Sequence, residues 1–226
     1  MIKTDVELLQ SILNIPSENQ TIDFKRLSHV KNDVDRILES IVAMTNTDGG
    51  SIILGIDDPD KSFSQSEDRI YGIEESLENY DHLGRQINKI SPALGNIWPP
   101  RIIPTPKKVR IAIITISKST DNFRSINNHV FIRLAKSNKL LSTHELVKFA
   151  YAKGFEKADK ELVDVPFNLL NTHNFLNWKD SRNISGASIE EILEKTGLAR
   201  NLDGQLKPTR AAVLLFAEYP SDVMET

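Results

Sequence analysis

Two adjacent glycines followed by an unbroken apolar run dominate the first quarter of this chain: Asn46-Thr-Asp-Gly-Gly-Ser-Ile-Ile-Leu-Gly-Ile-Asp-Asp58. Upstream of it, Val34, Ile37, Leu38, Ile41, Val42 and Met44 recur at helical spacing and stop where Thr47-Asp48-Gly49-Gly50 supplies turn chemistry. A helix ends there. Ser51 to Ile56 shows no polar alternation, the pattern of a strand buried on both faces, and Gly55 leaves room for another backbone to come close. Asp57 and Asp58 then leave the sheet, either as turn formers continued by Pro59-Asp60 or as carboxylates with chemistry to perform.

The remaining elements are placed around that strand. Thr4 can cap a short helix whose Val6, Leu8, Leu9 and Ile12 face inward. Glu18 to Leu27 reads as a strand with Ile22 and Phe24 on one face and Asp23 and Lys25 together on the other. Lys61 to Asp68 is a polar loop closing onto a short edge strand at Ile70 to Ile73. Glu74 to Ile90 carries a helical stripe, Leu77, Tyr80, Leu83, Ile87 and Ile90, weakened at Gly84 by about 1 kcal/mol relative to alanine. Arg101–Thr105, Val109–Ser117 and Val130–Leu134 are further strands. The expected class is α+β: a mixed sheet of about five strands flanked by helices, then a mainly helical region. We place the first domain at 1–141. Residues 142–226 form a helical linker leading into a downstream domain, with helices starting at Ser142 and running from Ser188 to Gly197. Trp98 and Trp178 are expected as core anchors.

Composition narrows the function classes. The chain has 226 residues, 39% of them apolar, and no cysteine, so disulfides and thiolate metal sites are excluded. Neither a secretory signal pattern nor a bilayer-length apolar run is present, and the expected location is the cytoplasm. Charge is unevenly placed. From Arg101 to Lys139 nine cations stand against Asp121 alone, a net +8 in a chain whose total is -3. A segment of this kind either faces a polyanion or balances the acidic stretch from Asp57 to Asp81. The cations best placed for phosphate are Lys25, Arg101, Lys107, Lys108, Arg110, Arg133 and Lys136. No Gly-x4-Gly-Lys-Ser/Thr loop and no Gly-x-Gly-x-x-Gly occurs, so ATP binding has no place here, and the five histidines show no metal-ligand spacing.

Several separated motifs, taken together, carry a resemblance. Glu18, Ile22-Asp23-Phe24-Lys25, Ala43-Met-Thr-Asn46-Thr-Asp-Gly49-Gly50, Leu54-Gly55-Ile56-Asp57-Asp58 and Val130-Phe-Ile-Arg133 resemble the Schlafen-type AlbA domain of many prokaryotic proteins, over roughly residues 5 to 145. Lys207 to Phe216 is similar to the stretch that follows this domain in proteins called RecG-related helicases or ATP-binding transcriptional regulators, which continue further. The resemblance implies binding to nucleic acid, DNA or RNA, with no membrane partner and with room for a homo-oligomer. For the eukaryotic Schlafen branch it implies a metal-dependent endoribonuclease with three acidic catalytic residues, which fall on Glu18, Asp23 and Asp58. Those three with Asp57 would hold Mg²⁺ or Mn²⁺. The nuclease pattern has glutamate where Asp23 stands, so this side chain is shorter by one methylene, roughly 1.3 Å. A module that only binds nucleic acid is therefore the leading expectation, ahead of the nuclease and of a protein-interaction module.

Overall fold

The computed structural model describes residues 4–30, 32–61 and 67–224; the loop expected over Ser62–Ser66 lies outside them. One compact unit comprises Met1–Phe149 and a second Ala150–Thr226.

The first unit opens with α1 (Asp5–Leu13), closed at its start by a capping box between Thr4 and Glu7. Next come β1 (Ile22–Lys25), α2 (Asp33–Asn46) and β2 (Gly50–Leu54). The chain turns from α2 into β2 through Gly49, whose φ is +72°, and Gly50, where a Cβ would stand 2.2 Å from the Thr21 carbonyl oxygen. Only glycine fits so near β1.

Helix α3 (Leu77–Gln86) is shorter than the periodicity predicts, with single 3₁₀ turns at Ile73–Ser76 and Ile87–Lys89 before and after it. Gly84 sits inside it because the Trp98 indole occupies the space a Cβ would need, 2.7 Å away. β3 (Arg101–Pro104) and β4 (Arg110–Ile116) form a hairpin, and β1 lies parallel to β2 in a mixed sheet of order β1-β2-β4-β3. The expected edge strand at Ile70–Ile73 reduces to one bridge, Ile56 to Ile70. The expected fifth strand, β5 (Phe131–Leu134), pairs instead with β6 (Ser137–Leu140) in a separate hairpin.

Burial follows the strand alternation. Ile52 and Leu54 join α2 and α3 in one apolar cluster with Ile37, Ile41 and Leu83. Phe24 and Ile53 join α1 in another, with Leu9, Ile12, Ile103 and Ile111. Helix α4 (Thr143–Lys153) begins with Ser142 and Glu145 bonded to each other across the first turn.

The second unit holds α5 (His173–Ser181), α6 (Ile189–Lys195), the hairpin β7 (Ala199–Leu202) and β8 (Gln205–Pro208), α7 (Arg210–Phe216) and α8 (Pro220–Met224). Its core gathers Phe175, Leu193, Val213 and Phe216, with Trp178 packed beside it. The β7–β8 hairpin departs from the helical expectation. Asp203-Gly204 turns it, with φ of 52° and 85°, the chemistry of a two-residue hairpin loop. Among the described residues no helix is long and apolar enough to cross a membrane.

Candidate nucleic-acid interface

Strand alternation puts Asp23 and Lys25 on one face of β1, and the Lys25 ammonium lies 2.7 Å from Asp23 Oδ1. The same oxygen accepts from Arg133 Nη2 at 2.9 Å. Arg133 reaches inward from β5 because Phe131 shares its face and is drawn into the core. A polar network fixes it there: Arg133 Nη1 donates to Asn138, Asn138 to Ser40 on α2, and Gln20 spans the Arg133 carbonyl and the Ala135 amide. Arg133 is 1% exposed and Asp23 fully buried, so this guanidinium cannot meet a phosphate outside. That corrects its assignment as an anion contact. Burial opposes ionisation of Asp23, but Lys25 and Arg133 outweigh it and hold the carboxyl below its usual range.

Glu18 is turned to the outer edge of β1, where Oε1 accepts the Phe24 amide at 2.9 Å. Burial pushes its pKa up, reinforced by Asp23 and Asp58 and opposed by Lys25 and the Phe24 amide. Asp58 is also buried; it accepts the Asp60 amide at 3.0 Å and lies 3.5 Å from Lys61. Asp57 faces Arg26 at 3.9 Å. Among the described residues no group of three or more aspartate, glutamate or histidine side chains is placed to hold a metal ion. The expected Mg²⁺ or Mn²⁺ ligands Glu18, Asp23, Asp57 and Asp58 are therefore not assembled as a set. The physical reason is local: two cations share one oxygen of Asp23, a backbone amide takes Glu18, and Asp57 turns toward Arg26.

The sheet register decides which cations share a neighbourhood. Lys25 is level with Leu54, Leu54 with Ala112, and Arg110 with Pro104, so β1 and β2 end where the Thr105–Val109 turn begins. Lys25, Lys107, Lys108 and Arg110 thus occupy one end of the sheet. Ala112 on β4 is two strand spacings, about 10 Å, from Lys25 on β1, and Arg110 lies two residues, about 7 Å, further along β4. Arg101, at the start of β3, stands three residues or about 10 Å behind the turn and donates to Asp5 at 2.7 Å. It is set apart from the others. Lys136, in the β5–β6 turn, pairs with Asp60 and feels the charges of Asp58 and Glu18.

Sequence reasoning named none of four further cations at this end as site residues. Arg69 is 1% exposed, donates to the carbonyls of Leu13 and Asp57, and lies over the Phe24 ring, bracing the exit of β2 from beneath. Arg26 covers the half-exposed Tyr71 ring at 3.5 Å and grips Glu75 through Nε and Nη2. Lys61 and Arg36 join Lys25, Arg26 and Asp58 around a groove of about 190 Å³. That is too small for a nucleoside and large enough for a phosphate group.

These features describe a mixed-sheet α+β domain with Lys25, Lys107, Lys108 and Arg110 at one sheet end. The family model described as Schlafen, AlbA_2 matches residues 18–142, more than half of the chain, and the chain belongs to that family. Domains of this family are often nucleic-acid-binding modules. No curated protein matches the chain. Among solved structures it is similar to the DIP2311 protein from Corynebacterium diphtheriae, at 16% identity with a TM-score of 0.43, over 94% of this chain and 46% of that one. The chain spans less than half the length of that protein.

Proposed function

We propose that residues 1–141 form a module that binds the sugar–phosphate backbone of a nucleic acid without cutting it. The contacts would come from Lys25, Lys107, Lys108, Arg110 and Lys136, with Arg26 and Lys61 added and with Arg101 at the margin. What carries the reading is the register. Cations more than eighty residues apart in the chain, on β1 and on the β3–β4 turn, lie at the same end of one sheet. The separation of about 12 Å that the register gives Lys25 and Arg110 corresponds to roughly three to four nucleotides at 3.4 Å rise along one strand.

Residues 142–226 would join this module to a further domain. The wider setting, a prokaryotic cytoplasmic regulator or helicase-related protein, rests on the similarity of Lys207 to Phe216 alone. Cleavage is the weaker reading, since the acids named for it are engaged by the protein's own amides and cations, with Lys25 standing 2.7 Å from Asp23 and 3.9 Å from Glu18.

The test is a titration of labelled duplex DNA and single-stranded RNA against the protein at two salt concentrations. Contact with several phosphates gives a log–log slope near -0.9 per phosphate on duplex and -0.7 on single strands. A slope near zero, or no binding in low salt, would rule the reading out.

A further inference from the structure

Five cations at this end of the sheet are partnered by carboxylates from two neighbouring stretches, Asp57–Lys61 and Glu67–Glu75. Arg26, just after β1, meets Glu75 at 2.5 Å and Asp57 at 3.9 Å. Lys61 meets Asp58 at 3.5 Å. Lys107 lies 3.8 Å from Asp68, Arg110 lies 2.6 Å from Glu74, and Lys136 pairs with Asp60. Apart from Lys61, these cations come from three distant parts of the chain. The two stretches carry seven carboxylates against two cations, a net -5. Their acids occupy the cations that would otherwise be open to a phosphate. Glu74 is the most firmly placed: burial raises its pKa, but the Arg110 amide and guanidinium more than reverse that and keep it ionised.

We infer that these carboxylates are a built-in competitor for the phosphate-binding cations, so that a nucleic acid binds by displacing acids of the protein's own chain. The inference rests on the nucleic-acid reading above. An exposed pair contributes little and can exchange partners. A phosphate strand gains in addition from the release of its own counterions. The pairs therefore hold the cations in place and reduce affinity without abolishing it. Weak, nonspecific polyanions would be turned away first.

The experiment compares the full chain with the triple variant D60N/D68N/E74Q, using fluorescence anisotropy of a labelled single-stranded RNA at 50 and 200 mM salt. The expected result is affinity at least about five-fold tighter at 50 mM and a steeper salt slope for the variant, because the freed cations now contribute fully. A circular-dichroism melt checks that the variant folds. If it does not, D60N/D68N, which leaves the bonds between Glu74 and Arg110 intact, takes its place with an expected gain of about two-fold. Equal or weaker binding by the folded variant would overturn the competitor and leave the nucleic-acid reading standing. Failure of both proteins to bind at 50 mM salt would overturn the two together.

Discussion

Glu18 and Asp23 are both buried carboxylates, and their surroundings push them in opposite directions. Glu18 has its pKa raised, mainly by burial, so the fold favours its protonated form. The stability this contributes is fully present below the unfolded value of 4.5 and is lost as pH rises through the higher folded value. Glu18→Gln keeps an oxygen to accept the Phe24 amide and removes the charge. It should therefore raise the melting temperature at pH 7 and leave it nearly unchanged at pH 4. For Asp23 the sign reverses. Its pKa is lowered, so its stabilising effect is present above the unfolded value of 3.8 and fades as pH falls through the lower folded value. Asp23→Asn would strand the buried Arg133 charge and should cost about 3–5 kcal/mol in a urea titration at pH 7. Replacing Arg133 with Met in the same chain should recover much of that loss. Millimolar Mn²⁺ should leave the melting temperature of the native chain unchanged, since among the described residues no three acids are placed to hold a metal ion. A rise of several degrees that disappears in Asp58→Asn would contradict this.

Elements behave as their apolar spacing and punctuation predict wherever the local signal is strong. The helix ending at the paired glycines, the doubly buried β2 and the long β4 are all recognisable from residue spacing alone, because burial on both faces needs no partner identified in advance. What the spacing cannot convey is a strand's destination. Val130 to Leu134 is legible as a strand, but its departure to pair with β6 depends on Asn46, whose side chain holds the Arg124 and Phe131 carbonyls and the Arg124 amide. Asn46→Ala should destabilise the protein by about 2 kcal/mol or more, as buried groups lose their partners. The burial of Arg133 did have a signal, since it shares the inward face of Phe131. Gly84 sets two effects against each other. Alanine would gain about 1 kcal/mol of helix propensity, but its Cβ would press on the Trp98 ring at 2.7 Å. Backbone and indole are both held by the core, so Gly84→Ala is expected to lower the melting temperature.

At the scale of the molecule, each apolar cluster draws its residues from one unit: Leu8 to Phe131 for the first two, Val163 to Met224 for the third. A fragment of residues 1–153, which retains all of α4, should therefore fold with a cooperative melt and keep the salt-dependent binding of the full chain. Loss of either would mean that the first unit depends on the rest. The charge asymmetry was plain in the primary structure, yet its meaning was not. Three of the nine cations in residues 101–139, Lys107, Arg110 and Lys136, meet acids from two other stretches, and only the fold brings them together. The bond from the Phe24 amide to Glu18, with the Ile22 carbonyl taken by the Asn19 amide, has a consequence for how copies of the chain behave in solution. With these groups occupied, and with Pro104 and a charged Arg101 on the opposite edge strand, neither margin of the sheet offers an open ladder on which a second molecule could template itself. Glu18→Ala, the obvious control for any cleavage assay, would remove that guard. Such a variant should be checked for polymerisation by light scattering before a loss of activity is attributed to chemistry.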